Sequence, residues 1–353
     1  MPIGRFFLKV IFMRRHLPFL ILIATTVLIG CHQNKTPEEF EPIRLKGQAQ
    51  GTYYSIIYYD EQQRDLQPQI DSILKAFDLS ASLWVETSNL RRLNAGLTDT
   101  IDPILTELFR QDDWLYTHTN GAFSCAVGKL VRAWGFAFDK ASDMNQKRVD
   151  SLLLATAHNF SITSEGSVST IERTIVGQEY DFNAIGQGYS VDLISKYLKS
   201  LGINNHLIDV GGEVIAFGHK PDGKSWTVGI ERPAKDKDAI PEVETMIKLC
   251  DCSVVTSGNY RKYYEKNGVR FSHTIDPSTG YPVEHSLLSV SVIANESWLA
   301  DGLATSFMVM GLDKALEWLK NNPDQPQAVF FIYDENGSNK TYATPEFQKL
   351  IIE

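Results

Sequence analysis

The chain has 353 residues, enough for one large domain or two modest ones. An apolar share of 43% and an aromatic share of 11% belong to a globular protein and exclude a fibrous or disordered chain. A net charge of −9 without a basic patch excludes nucleic acid as the partner.

The first thirty residues differ from the rest. Lys9, Arg14 and Arg15 precede an apolar run from Leu17 to Gly30, the pattern of a secretory signal. The run falls short of the roughly 20 apolar residues that a hydrocarbon core requires. Cys31 follows Leu28-Ile29-Gly30 directly, as in a bacterial lipobox, where the thiol is acylated and becomes the mature N-terminus. Residues 1–30 therefore read as a lipoprotein signal peptide, with Met13 as an alternative start to Met1. Residues 31–45 read as the lipidated Cys31 and a polar tether to the membrane. A plain signal anchor with a chance cysteine is the alternative. Cys125, Cys250 and Cys252 remain, an odd number that argues against a disulfide framework. Cys250 and Cys252 lie two apart in a predicted strand, share a face, and read as small buried apolar residues.

Gln48 to Tyr59, rich in Thr, Tyr and Ile, predicts a strand. Helices follow at 67–77, where Ile70, Ile73, Leu74 and Phe77 keep helical spacing, and at 103–117, 126–134 and 147–155. Strands at 159–162 and 171–176 precede a helix over 189–201 that Gly202 closes. Further strands are predicted at 206–210, 213–217, 226–230, 246–249 and 253–256. Lys266-Asn267-Gly268 marks a hairpin between 260–264 and 269–273. A strand at 288–294, helices at 296–310 and 314–319, and a last hairpin around Asn336-Gly337 complete the chain. The mixture lacks a βαβ rhythm, so the fold class is α+β: largely antiparallel sheets with flanking helices, and residues 46–353 as one catalytic unit.

Five segments could carry chemistry. Asp181 to Gly188 is a glycine-containing turn feeding a helix N-terminus, which suits phosphate and lets a ligand approach the backbone; a plain turn into a helix is the alternative. Asp301 and Thr305 lie four apart on one helical face, where carboxylate and hydroxyl could hold Mg²⁺ or could form an exposed polar stripe. His273 ends a strand before the turn Asp276-Pro277-Ser278-Thr279-Gly280, a place for a general base or for a structural histidine. Leu207-Ile208-Asp209-Val210-Gly211-Gly212, a strand running into two glycines, offers a tight turn or a crowded backbone, and Thr256-Ser257-Gly258-Asn259-Tyr260 offers hydroxyls and a flexible backbone.

Taken with Gln50-Gly51-Thr52-Tyr53, Gly121-Ala122-Phe123-Ser124, Trp134-Gly135-Phe136 and His273 to Pro282, these segments in this order resemble the FAD:protein FMN transferase family, the ApbE type. The resemblance spans nearly all of residues 46–353. It implies an enzyme that binds FAD and Mg²⁺, cleaves the pyrophosphate, and attaches FMN to a threonine hydroxyl of a client protein, releasing AMP. Clients of that family are membrane electron-transfer subunits and flavin reductase domains. By the same resemblance the metal ligands are Asp301, Thr305 and the carbonyl of Ala184, and FAD contacts come from Gln50, Trp84, Ala122, Phe123, Ser124, Asp181, Gln187 and Ile275. Asp301 and His273 are the catalytic pair, His273 as base. Three positions depart from the family pattern: Gln50 stands where many members have Met, Ser124 where they have Asp, and Gln187 where they have Lys or Glu. The implied location is the cell envelope, lipid-anchored to a membrane and facing the periplasm. FAD hydrolysis to FMN and AMP, and non-catalytic flavin binding, are the competing readings.

Overall fold

The computed structural model describes residues 41–137, 142–166, 168–233, 242–259, 263–266 and 269–352. The predicted signal peptide, Cys31 and residues 32–40 of the tether lie outside the described residues. The sheet begins at Ile43, so the last residues assigned to the tether are strand.

The elements, in chain order, are β1 (Ile43–Ala49), β2 (Thr52–Tyr58), α1 (Gln67–Ala81), α2 (Asn89–Asn94), β3 (Thr100–Ile101), α3 (Pro103–His118), α4 (Gly128–Ala133) and α5 (Gln146–Leu153). They continue with β4 (Phe160–Glu165), β5 (Val168–Arg173), α6 (Gly186–Ser200), β6 (His206–Val210), β7 (Glu213–Phe217), β8 (Trp226–Glu231), β9 (Val243–Leu249) and β10 (Cys252–Gly258). The last are β11 (Tyr263–Lys266), β12 (Val269–Ser272), β13 (Leu287–Ala294), α7 (Ser297–Met310), α8 (Leu312–Asn321), β14 (Ala328–Glu335), β15 (Ser338–Ala343) and α9 (Pro345–Gln348).

An antiparallel eight-stranded sheet, ordered β1-β2-β6-β7-β10-β13-β14-β15, forms the frame. The predicted strand from Gln48 to Tyr59 is in fact the end of β1, a turn, and β2. Gln50 and Gly51 take φ of 54° and 75°, the pair of left-handed residues that a two-residue hairpin demands. Asn336 and Gly337, at 56° and 82°, do the same between β14 and β15. The expected hairpin of β11 and β12 forms, with Lys266 opposite Val269.

Alternation along the strands assigns the sheet two faces. Val255, Val329 and Phe331 point into a core shared with α1, α2, α3, α7 and α8. Their neighbours Val254, Phe330 and Ile332 point the other way, against the small β8–β9 sheet and Phe347 of α9. Each such side chain contributes about 1.5–3 kcal/mol on burial. The helical face carries the candidate site, because α6 and α7 both lie on it. Fourteen residues of α7 bury nine, including Asp301, so its apolar surface is not a single stripe. A helix buried nearly all round reads from sequence as simply hydrophobic.

Two readings of the cysteines change. Cys250 sits on the turn between β9 and β10 rather than in a strand, half-buried, its Sγ 3.5 Å from His219 Nε2 and from Asp251 Oδ2. Among the described cysteines only Cys125 is fully buried, where loss of solvation and the neighbouring Asp112 carboxylate hold its thiol well above the usual range. Cys252 is half-buried and packs against the β8–β9 side of the sheet.

Candidate active site

The site grows from the contact of α6 with α7. Asp301 is 5% exposed, so the exposed-stripe alternative falls. Its Oδ2 accepts the backbone N–H of Gly188 at 3.2 Å, in the first turn of α6. The positive end of that helix therefore meets the carboxylate directly. One turn along α7, the half-buried Thr305 shares a hydrogen bond of 3.2 Å with Ser257 of β10. Ala184 lies one turn before Gly188, in the loop that leads into α6.

The glycines of this loop serve packing, not ligand approach. A methyl group on Gly188 would meet the Ser297 carbonyl oxygen at 2.6 Å and Asp301 Cβ at 3.0 Å, and one on Gly186 would press on the Phe77 ring at 3.3 Å. The Gly186 N–H is taken by the Phe182 carbonyl and that of Gly188 by Asp301. The expected phosphate cradle is thus partly occupied by the protein's own oxygens. Gly188→Ala should cost about 1–3 kcal/mol of stability, as overpacking does. It should also raise the divalent-cation requirement, because the clash is with the backbone of α7 and pushes Asp301 away. Urea unfolding and a metal titration of activity check both.

Electrostatics mark the same place. Burial, then the nearby carboxylate of Glu213, raise Asp301 well above the ordinary carboxylate range, while the Gly188 N–H pulls the other way. Glu213 begins β7 just after Gly211-Gly212, whose φ values of 65° and 108° make the turn from β6. That turn is both tight and crowded: a side chain on Gly211 would strike Thr52 at 2.7 Å and Gln187 Nε2 at 2.8 Å. Gln187 is thereby placed beside the β1–β2 turn. Its carbonyl accepts Ser190 Oγ–H at 2.8 Å, and the same hydroxyl lies 3.4 Å from Gln50 Oε1. Gln50 Nε2 is buried without a hydrogen-bond partner.

A second group gathers around Asp181. Its N–H donates to the Cys125 carbonyl at 2.8 Å, which brings it beside the Ala122-Phe123-Ser124 segment. Tyr180 and Phe182 anchor it, both edge-on to Phe109 at 4.8 and 4.9 Å. Phe123 is 2% exposed and belongs to the main core, so only its backbone can face a ligand. Ser124 is buried and caps the short helical turn after it, accepting the Ala126 N–H. Behind it Asp112, wholly buried, accepts the Cys125 N–H at 2.7 Å and faces His158 Nε2 at 3.1 Å. Sequence reading passed over Asp112, although an acid on the buried side of an otherwise amphipathic helix was a visible signal.

The remaining predicted residues stand apart from these two groups in the contacts described. His273 is half-buried and edge-on to Phe136, with ring centroids 6.4 Å apart. Ile275 is 6% exposed in a satellite core with Leu130, Trp134 and Val149, so its side chain does not face a ligand. Trp84 is 59% exposed on the loop after α1, with its N–H on Ser82 Oγ. Glu213 and Asp192 were missed. Glu213 had a signal, a charge next to a glycine pair; Asp192 had none until α7 was placed beside it.

The sequence matches the ApbE family over residues 50–330. The chain belongs to the ApbE family. The FAD:protein FMN transferase of Vibrio cholerae is 31% identical over 343 residues, covering 94% of this chain and 98% of that one. That of Escherichia coli K12 is 30% identical, covering 94% and 96%. The flavinyl transferase ApbE of Pseudomonas stutzeri, in its apo form, superposes with a TM-score of 0.77 at 30% identity, covering 88% of this chain and 97% of that chain. The ApbE protein of Thermotoga maritima, at 24% identity and a TM-score of 0.76, shares the fold.

The donor set of this ApbE-family chain fits a hard cation. Asp301 is a buried carboxylate with acidic neighbours and no cationic partner among the described contacts, and Thr305 and Ser257 add hydroxyls. Among the described residues no three His, Cys, Asp or Glu side chains converge as a ready-made metal cage. One carboxylate with hydroxyl and carbonyl oxygens leaves coordination positions for water and phosphate, as Mg²⁺ prefers. Two open clefts of about 440 and 300 Å³ among the described residues lie elsewhere, around His285 and Gly311 and around Tyr54 and Asp71.

Proposed function

We propose that this chain, an FAD:protein FMN transferase of the ApbE family, works with a divalent cation, Mg²⁺, and delivers FMN to a threonine hydroxyl of a client protein. The observation that supports the metal reading best is the buried, negatively surrounded Asp301 held against the start of α6. A carboxylate so placed is costly unless neutralised by a proton or a cation.

In the reaction the threonine oxygen attacks the phosphorus next to riboflavin. The new O–P bond forms as the bond to the AMP phosphate breaks, and AMP leaves with its electron pair. Bound Mg²⁺ would neutralise phosphate charge and ease that departure. Asp301, Thr305 and the Ala184 carbonyl would hold it. Asp181 and the backbone of Ala122, Phe123 and Ser124 would line the FAD path, with Gln187 and the Gln50 amide near the β1–β2 turn. Gln50 Nε2, buried and lacking a partner, is a donor ready for a ligand oxygen. Ile275 contributes backbone only, and the exposed ring of Trp84 is free to stack on the flavin. His273 would take the threonine proton as attack proceeds. The enzyme would be anchored by a lipid on Cys31 in the cell envelope, facing the periplasm. Its clients would be electron-transfer subunits or flavin reductase domains.

The test mixes purified protein, FAD, Mg²⁺ and a client protein with an acceptor threonine, then looks for a fluorescent covalent band on a denaturing gel. The band should appear, vanish with EDTA, and return with excess Mg²⁺. Chromatography should show AMP in amounts equal to the labelled client. Free FMN with AMP and no band would mean hydrolysis; FAD binding without turnover would mean a flavin carrier.

A further inference from the structure

Helix α7 lacks a cap of its own. Its N-cap residue, Glu296, makes no side-chain bond to the backbone of the first turn; its carboxylate accepts the indole N–H of Trp298 instead. The first two N–H groups of α7 are taken by an acid from another helix. Asp192 Oδ1 accepts Ser297 N–H at 2.8 Å, and Asp192 Oδ2 accepts Trp298 N–H at 2.9 Å.

The position of Asp192 gives this bond a consequence. Asp192 lies one turn after Gly188 on α6, and Asp301 lies one turn after Ser297 on α7. Residues four apart share a helical face. The two helices are thus joined at two rungs of one ladder: Asp192 to the start of α7, and Gly188 to Asp301. Between the rungs the helices touch backbone to backbone, since Gly188 leaves no room for a methyl group against Ser297. The lower rung alone is a single hydrogen bond of 3.2 Å. The upper rung is two hydrogen bonds, of 2.8 and 2.9 Å, from the positive end of a helix to both oxygens of one carboxyl group.

We infer that Asp192 is a positioning residue for flavin transfer: by capping α7 from α6 it sets the height of Asp301 against the Gly188 turn, and so the geometry in which the cation is held. This rests on the metal reading given above. Asp192 is assigned a role through Asp301, not through a contact of its own with substrate or metal.

The test compares Asp192→Ala and Asp192→Asn with Ser195→Ala in the full chain. Ser195, on the same helix, bonds buried His206 Nε2 at 2.9 Å and does not touch α7 in the described contacts, so its loss reports destabilisation alone. Mn²⁺ binding in the presence of FAD is measured by calorimetry, beside thermal unfolding and transfer rate against metal concentration. Asp192→Ala should weaken Mn²⁺ binding about tenfold or more. It should raise the half-saturating Mg²⁺ concentration in parallel, with kcat at saturating metal changed far less. Asp192→Asn, which keeps one accepting oxygen, should fall between and guards against an alanine variant that fails to fold. Ser195→Ala should lower Tm and leave both metal constants in place. Unchanged Mn²⁺ affinity in both Asp192 variants, with only Tm lowered, would overturn the inference and reduce the cap to a structural one. Transfer by the native protein without any divalent cation would instead remove the metal reading, and the inference with it.

Discussion

Asp301→Ala is expected to abolish the labelled client band, a loss of about 10³-fold or more, the scale seen when a principal charge-stabilising group is removed. The same substitution should leave Tm unchanged or raised in metal-free buffer. The native side chain is a carboxyl group withdrawn from water beside Glu213, and its removal relieves the cost of burying that polar group. Loss of activity with gain of stability separates a functional acid from a structural one. A variant that keeps its transfer rate, or loses it only in proportion to unfolding, would contradict the assignment. The pH dependence follows with a definite sign. Burial raises Asp301 above the ordinary value of 3.8, so the folded, metal-free chain holds this proton more tightly than the unfolded chain does. The stability so contributed is complete below the ordinary value and is lost as pH rises through the raised one. A cation must displace the same proton. The Mg²⁺ concentration for half-maximal transfer should therefore fall as pH rises across that window.

His273→Ala is expected to slow transfer by about 10²–10⁴-fold with FAD affinity intact, the range for removing a general base. Single-turnover rates and flavin fluorescence titration read the two quantities separately. His273 is edge-on to Phe136. It lies one residue past the end of β12 rather than in a strand, and among the described residues β12 pairs with β11, apart from the main sheet. A base on such a hairpin would meet the threonine only when the client and FAD are both bound, since both sides must be brought to one phosphorus. Full-rate transfer by His273→Ala would assign this histidine to packing.

Local chemistry explains which parts of the molecule could be read in advance. β6 and β7 run from His206 to Val210 and from Glu213 to Phe217, the bounds expected from alternation and from Gly211-Gly212 between them. The helices α1 and α3 start at Gln67 and Pro103 as expected, where proline in the first turn costs no hydrogen bond. The hairpin turn at Gln50-Gly51 was not legible, because φ of 54° at a glutamine is a conformation that only the flanking strand pairing makes tolerable. α2 was missed because six residues carry too little periodicity to stand out. The glycines of Gly186-Gln187-Gly188 were legible as important but not as to purpose. Their neighbours, Phe77 and Ser297, lie about 110 residues away on either side in sequence.

What the sequence by itself determined is the family, the α+β class, the antiparallel strand pairs and the identity of the acid on α7. These depend on residue type and short spacing, which do not change when the chain folds. Only the tertiary structure decided that Asp301 is buried rather than exposed, that Gly188 packs rather than cradles, and that Asp192 and Glu213 belong to its surroundings. Burial, electrostatic neighbours and helix-to-helix register are set by segments far apart in the chain, and spacing along one segment carries no information about them.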